Sequence, residues 1–161
     1  MSDTEFAAKR DDLVRRYVTP GAHHASTARG VHHVALICTD AARTIEFYQG
    51  VLGFPVVEVM ENRDYPGSTH FFFDLGNNTM LAFFDFPGLG LGPAVEAIGS
   101  LQHIAISMTP EEYQKVHERL DEHGIEYIGP DRGLEGSIYF KDPDGIQIEL
   151  TNVPLNDFEF S

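Results

Sequence analysis

Three residues of the 161-residue chain have the types that bind a divalent metal and the spacing to share one surface: His33, His103 and Glu149. His33 lies in 30-GVHHVALICTD-40 and His103 in 101-LQHIAISMTP-110, 70 positions later. Each heads an alternating stretch that reads as a short strand running into a helix cap. Side chains in a strand point to opposite faces in turn. If Val34, Leu36, Ile104, Ile106, Ile138, Phe140, Ile146, Ile148 and Leu150 pack beneath helices, then His33, His103, Tyr139 and Glu149 face the other way. A neutral imidazole donates a nitrogen lone pair, and a carboxylate offsets part of a dication's charge. Two imidazoles and one carboxylate on one face leave positions open for a substrate. That set suits non-haem Fe(II), and Mn, Ni, Co or a catalytic Zn also accept it. A lone strand histidine is more often a hydrogen-bonded structural residue. The equivalence of the two histidines favours the metal.

The elements that position them come in a repeat. After the first strand, Thr39 and Asp40 cap a helix whose Ala41, Ile45, Tyr48 and Leu52 fall at helical spacing, and Gly53 stops it. FPVVEVM (54–60) follows, then STHFFFDLG (68–76) and TMLAFFDF (79–86) as a hairpin around Gly76-Asn77-Asn78. In the second half, QHIAISM (102–108) is a strand. Thr109, Pro110 and Glu112 predict a capping box with proline at the first helical position. Tyr113, Val116 and Leu120 form the buried helix face and Gly124 ends it. IEYIG (125–129), GSIYFK (136–141) and GIQIELT (145–151) complete three strands, with 142-DPDG-145 as a turn. The prediction is an α+β fold: two tandem βαβββ modules, about 30–86 and 101–151, forming a half-open barrel. They span a domain of residues 30–152. A linker at 87–100, opening 87-PGLGLGP-93, joins them. Residues 1–29 form an extension with an amphipathic helix over 4–17 (Phe6, Leu13, Val14) and a loop holding His23 and His24. Residues 153–161 are a tail without signal.

Composition narrows the partners. Hydrophobic residues make up 42% and charged residues 22%, ordinary for a globular chain. A net charge of -14 leaves no basic patch for nucleic acid or an anionic membrane. No apolar run is long enough to span a bilayer. The opening MSDTEFAAKRDDLVRRYV lacks the apolar core of an export signal, so a cytoplasmic protein is expected. The lone Cys38 excludes an intrachain disulfide framework.

HHVALICTDAARTIEFYQGVLGF (32–54), LQHIAISM (101–108) and SIYFKDPDGIQIEL (137–150) together resemble the vicinal oxygen chelate superfamily, the glyoxalase/bleomycin-resistance/ring-cleaving dioxygenase group. The resemblance covers roughly residues 30–152, and it specifies the fold more than the reaction. It implies His33, His103 and Glu149 as metal ligands. The repeat places a fourth ligand position near Ala82, which cannot bind metal. That absence counts against a glyoxalase or epimerase. The remaining set is similar to that of type I extradiol dioxygenases and of fosfomycin thiol transferases.

The resemblance also implies roles for other residues. Tyr139 stands where extradiol enzymes keep a tyrosine near the bound catecholate, although YFKDPDG is a common string in the superfamily. Phe72 and Phe84 line the cup and favour an aromatic ring, or are sheet-face core residues. The acid/base histidine of extradiol enzymes is missing near Ala82. His70 is the candidate to replace it; the alternative is a structural polar residue at a strand end. Arg63 and Tyr65 lie on the loop leading to it.

The expected function is an Fe(II) extradiol-type dioxygenase acting on a small aromatic diol, working as a homodimer. The alternatives are another metal-dependent isomerase, lyase or thiol transferase, or a non-enzymatic dimer that sequesters an apolar drug. A phosphonate-binding transferase needs cations, and the region around Tyr139 offers only Arg132 and Lys141, which counts against that alternative. The pattern leaves open whether each cup is built within one chain or across two.

Overall fold

The computed structural model describes residues 2–18, 26–130 and 136–153. His23, His24, Asp131, Arg132 and residues 154–161 lie outside the described residues. The chain divides into two units, Met1–Val31 and His32–Ser161. The first holds α1, Asp3–Tyr17. Its N-terminus closes a capping box: Ser2 Oγ accepts from the Glu5 N–H, and the Glu5 carboxylate accepts from the Ser2 N–H at 2.6 Å. No residue of α1 is buried, and Phe6, Leu13 and Val14 are exposed.

The second unit begins with β1 (His33–Cys38), α2 (Ala41–Ile45) and a π-helical turn, Glu46–Val51. Next come β2 (Val56–Glu61), β3 (Thr69–Asp74) and β4 (Met80–Asp85). The second half repeats the order as β5 (Ile104–Ser107), α3 (Pro110–Glu122), β6 (Tyr127–Ile128), β7 (Ser137–Lys141) and β8 (Gln147–Thr151). The sheets run β1-β4-β3-β2 and β5-β8-β7-β6. In each, the first strand is parallel to the last and the other pairs are antiparallel. This is the duplicated βαβββ unit in an α+β fold, with two open sheets.

Local chemistry explains most of the joints. Gly76, Asn77 and Asn78 all have left-handed φ, at 80°, 49° and 58°. Only glycine and asparagine visit that region readily, so the chain reverses there from β3 to β4. Thr109 Oγ1 caps α3 by accepting from the Glu112 N–H at 3.2 Å, with Pro110 at the first position. The reciprocal half of the expected box does not form, because the Glu112 carboxylate takes a 2.7 Å bond from Lys115 instead. The helix expected from Ala41 to Leu52 widens halfway: the Leu52 N–H bonds to the Phe47 carbonyl. The wider turn carries Phe47, Tyr48 and Val51 inward together. Arg119 of α3 donates to the Val51 and Leu52 carbonyls and so caps that end.

One core joins the halves on the helical side. Tyr48, Phe71, Phe73 and Phe83 are fully buried beside Val116, Leu120, Ile138, Ile148 and Leu150. Losing one such phenylalanine ring costs about 3–5 kcal/mol. The 142-DPDG-145 turn latches the second half to the first. Tyr48 donates to Asp142 at 3.0 Å, the Thr39 N–H to Asp144 at 2.9 Å, and Arg43 to the Pro143 carbonyl at 2.9 Å. Burial raises the Asp142 carboxyl above the usual carboxylate range, although the Ile146 N–H, Tyr48 and the Asp144 N–H all stabilise its anion. Beside this latch, Cys38 is buried and its thiol is pushed up to about 11, chiefly by burial.

Candidate metal centre

The faces away from the helices carry the polar and aromatic residues. In the second sheet, Ile138, Phe140, Ile148 and Leu150 point to the core, so Tyr139, Lys141, Gln147 and Glu149 stand on the opposite face. Tyr139 pairs with Glu149 and Lys141 with Gln147 across β7 and β8. Ala105 pairs with Glu149 on the other side, so His103, two residues earlier, stands beside the same row.

His103 Nε2 lies 3.1 Å from Glu149 Oε2. The His103 ring meets the Tyr139 ring edge-on at 6.2 Å. His103 Nδ1 contacts Gln102 Oε1. A proton on Nδ1 donated to that amide leaves the Nε2 lone pair facing Glu149. A nitrogen lone pair and a carboxylate oxygen at this separation repel unless a proton or a metal cation lies between them. The contact fits either a proton shared in an ion pair or a divalent cation held by both groups.

His33 is on the other sheet. Its Nδ1 lies 2.9 Å from that of His32, and its ring meets Phe72 at 6.1 Å. Among the described residues no group of three His, Cys, Asp or Glu side chains is placed to hold a metal ion. A single chain thus brings His103 and Glu149 together and does not add His33.

The remaining candidates cluster on the first sheet. His70 pairs with Phe84 and Phe72 with Ala82 across β3 and β4. The His70 ring stacks on Phe72 at 4.3 Å and lies 3.7 Å from Phe84. Phe84 stacks in turn on Phe86, which meets Tyr65 of the preceding loop. His70 Nε2 is buried with no hydrogen-bond partner. Burial first, and the neighbouring His33 second, hold this imidazole below its usual range. Ala82 is fully buried between its neighbours and contributes only space. His33, His70, Phe72 and Phe84 form one aromatic wall, and His103, Glu149 and Tyr139 form a second group on the other sheet.

Three residues escaped the sequence reading. Gln102 orients His103 from the position before it, which strand alternation assigns to the wrong face. His32 Nδ1 contacts His33 Nδ1 at 2.9 Å, and only the HH doublet signals it. Phe86 extends the aromatic wall from just beyond β4. Two cavities border the second sheet. One of about 1030 Å3 is lined by Ile128, Tyr139, Lys141 and Gln147, among others. Another of about 880 Å3 lies between Ala35 and Ile37 of β1, the linker, and Gln102, Lys141 and Gln147.

A family model described as the Glyoxalase/Bleomycin resistance protein/Dioxygenase superfamily matches residues 30–150. Over 132 residues the chain is 28% identical to the provisionally named ring-cleaving dioxygenase MhqO of Bacillus subtilis strain 168. That match covers 78% of this chain and 41% of MhqO, so the chain spans about two-fifths of the relative's length. It is 29% identical to the metallothiol transferase FosB of Staphylococcus epidermidis, covering 80% of this chain and 87% of FosB. The structure of the fosfomycin resistance protein FosX from Mesorhizobium loti superposes with a TM-score of 0.61 at 25% identity, covering 80% of this chain and 95% of FosX.

Proposed function

Because the chain belongs to the glyoxalase/bleomycin resistance protein/dioxygenase superfamily, we propose that it is a metal-dependent enzyme that opens a small aromatic diol ring. The observation that carries this reading is the His103–Glu149 pair at 3.1 Å with the Tyr139 ring beside it. An imidazole nitrogen and a carboxylate oxygen suit Fe(II), the favoured metal, and also Mn, Ni, Co and Zn. The third ligand is His33 of the partner subunit, so the working form is a homodimer with composite sites. When bound, the metal supplies Lewis acidity and, as Fe(II), a route for electrons between diol and O2.

The chain's own residues do the rest. Gln102 holds the His103 ring so that Nε2 faces Glu149. The Tyr139 hydroxyl orients the diol. The sheet that supplies His33 to a composite site brings Phe72 and Phe84 with it, and these stack against the substrate ring and exclude water. His70, on the same sheet as His33, is kept neutral and its Nε2 is unpartnered, so where that sheet meets the metal pair it accepts a proton from the diol and returns it to the opened product. Ala82 leaves room for the ring. The likeness to MhqO supports ring cleavage as the reaction.

The match covering most of FosB favours a second reading, in which the same site adds a thiol to an electrophile. One experiment separates them. Protein is purified without oxygen, loaded with Fe(II), and assayed for O2 uptake with catechols and for thiol consumption with fosfomycin. The dioxygenase reading expects about one iron per chain, stoichiometric O2 uptake and a ring-opened product. His103→Ala and Glu149→Gln lose both iron and turnover. Thiol consumption without O2 uptake would replace the first reading by the second.

A further inference from the structure

Lys141 is a cation on the same face as the candidate metal pair. It follows Tyr139 by two positions on β7, so strand geometry sets their Cα atoms about 7 Å apart with side chains on one side. Its cross-strand partner Gln147 precedes Glu149 by two. Among the described residues the Lys141 ammonium makes no ion pair and no side-chain hydrogen bond. It is exposed and borders both cavities that flank this sheet, in company with Gln147. Glu126 and Asp121 line the cavity beside Ile128 as well. Glu126 forms no ion pair with Lys141, and Asp121 is engaged by the Tyr127 hydroxyl at 3.0 Å. In a chain of net charge -14 an ammonium without an acidic partner among the described residues is notable.

We propose that Lys141 selects the substrate by pairing with a carboxylate carried on the diol-bearing ring, so that the preferred substrates are acidic aromatic diols. The proposal rests on the ring-cleavage reading for the diol, and on the placement of Lys141 for the acid. A ring held beside Tyr139, with its two oxygens at the His103–Glu149 pair, spans about the distance to the next residue of the row. A carboxylate on a short substituent then reaches the ammonium, while Gln147 offers its amide to the second oxygen. The same charge repels cationic rings and gives neutral ones no advantage.

The test is calorimetric binding to anaerobic Fe(II)-loaded protein, where no turnover occurs. The probes are 3,4-dihydroxyphenylacetate and 3,4-dihydroxybenzoate against catechol and 4-methylcatechol. Wild-type protein is expected to bind the acids at least tenfold more tightly than 4-methylcatechol, and added salt narrows the gap. Lys141→Met is expected to collapse the ratio towards one, and Lys141→Arg to keep most of it. The side chain is exposed, so both variants fold. A ratio near one in the wild type, or an unchanged ratio in Lys141→Met, overturns the proposal. Air then separates the two ideas. Acid preference without ring opening removes the dioxygenase reading and leaves Lys141 as an acid anchor. Equal opening of neutral and acidic rings removes the anchor and leaves the reaction.

Discussion

The Tyr48 hydroxyl donates a 3.0 Å hydrogen bond to the buried carboxylate of Asp142. It joins the helical segment of the first module to the turn between the last two strands of the second. The carboxyl group is raised above its usual range, so its ionised form is less favourable in the fold than in the unfolded chain. The linkage runs one way. Stability is lost as pH rises from the unfolded value of 3.8 through the higher folded-state value, the loss is complete above that value, and it is absent below 3.8. Asp142→Asn removes the titration and keeps an oxygen for the Ile146 and Asp144 N–H groups. Urea unfolding across pH 4 to 7 is expected to show the variant gaining on the wild type as pH rises. A gap that widens on acidification would refute this. Tyr48→Phe is expected to cost about 1–3 kcal/mol at neutral pH, because it leaves a buried acceptor unpaired.

The separation of His33 from the His103–Glu149 pair makes a prediction about mixing. A chain carrying His33→Ala still offers His103 and Glu149, and a chain carrying His103→Ala still offers His33. Each variant alone is expected to bind no tight metal. Mixed and allowed to exchange subunits, they regenerate one intact site in each hybrid dimer, about a quarter of all sites. Metal analysis and O2 uptake should both recover to that level. No recovery, with subunit exchange demonstrated by mass-tagged chains, would place the third ligand within one chain.

His70 offers a spectroscopic check. Its ring is wedged between Phe72 and Phe84, and its folded-state pKa is held below 6.5 by burial first. The neutral ring therefore favours the fold above pH 6.5, and that contribution is lost as pH falls below it. Proton–nitrogen NMR is expected to show His70 titrating at lower pH than a histidine in a short peptide. Phe84→Ala removes one wall and is expected to move the midpoint back towards 6.5. A His70 midpoint at or above 6.5 in the wild type would contradict the burial argument.

Much of this was legible in the chain, for reasons visible at particular residues. Alternation along β7 and β8 put Ile138, Phe140, Ile148 and Leu150 inward, and that assignment alone placed Tyr139 and Glu149 on one face. The match between 30-GVHHVALICTD-40 and 101-LQHIAISMTP-110 revealed the duplication. What alternation cannot supply is the relation between the modules. It orients side chains within a strand, whereas helix packing through Tyr48, Val116 and Leu120 decides which faces meet. His33 therefore fell on the expected face and still far enough from Glu149 to form no cluster with it. The widened turn at Glu46–Val51 was equally invisible, because its residues keep ordinary helical spacing in the sequence. So was the contact of Gln102 with His103, which runs between neighbours that a regular strand would turn apart.

Cys38 gives the joint between the modules a built-in reporter. It ends β1 directly before Thr39, whose backbone N–H grips Asp144, and it is the chain's single cysteine. A thiol pushed up to about 11 stays protonated and slow to react while it remains covered. Any opening that parts the two modules at this corner uncovers it and returns its ordinary reactivity. The rate of alkylation of one sulfur thus clocks how often the halves come apart, without a label ever being engineered into the protein.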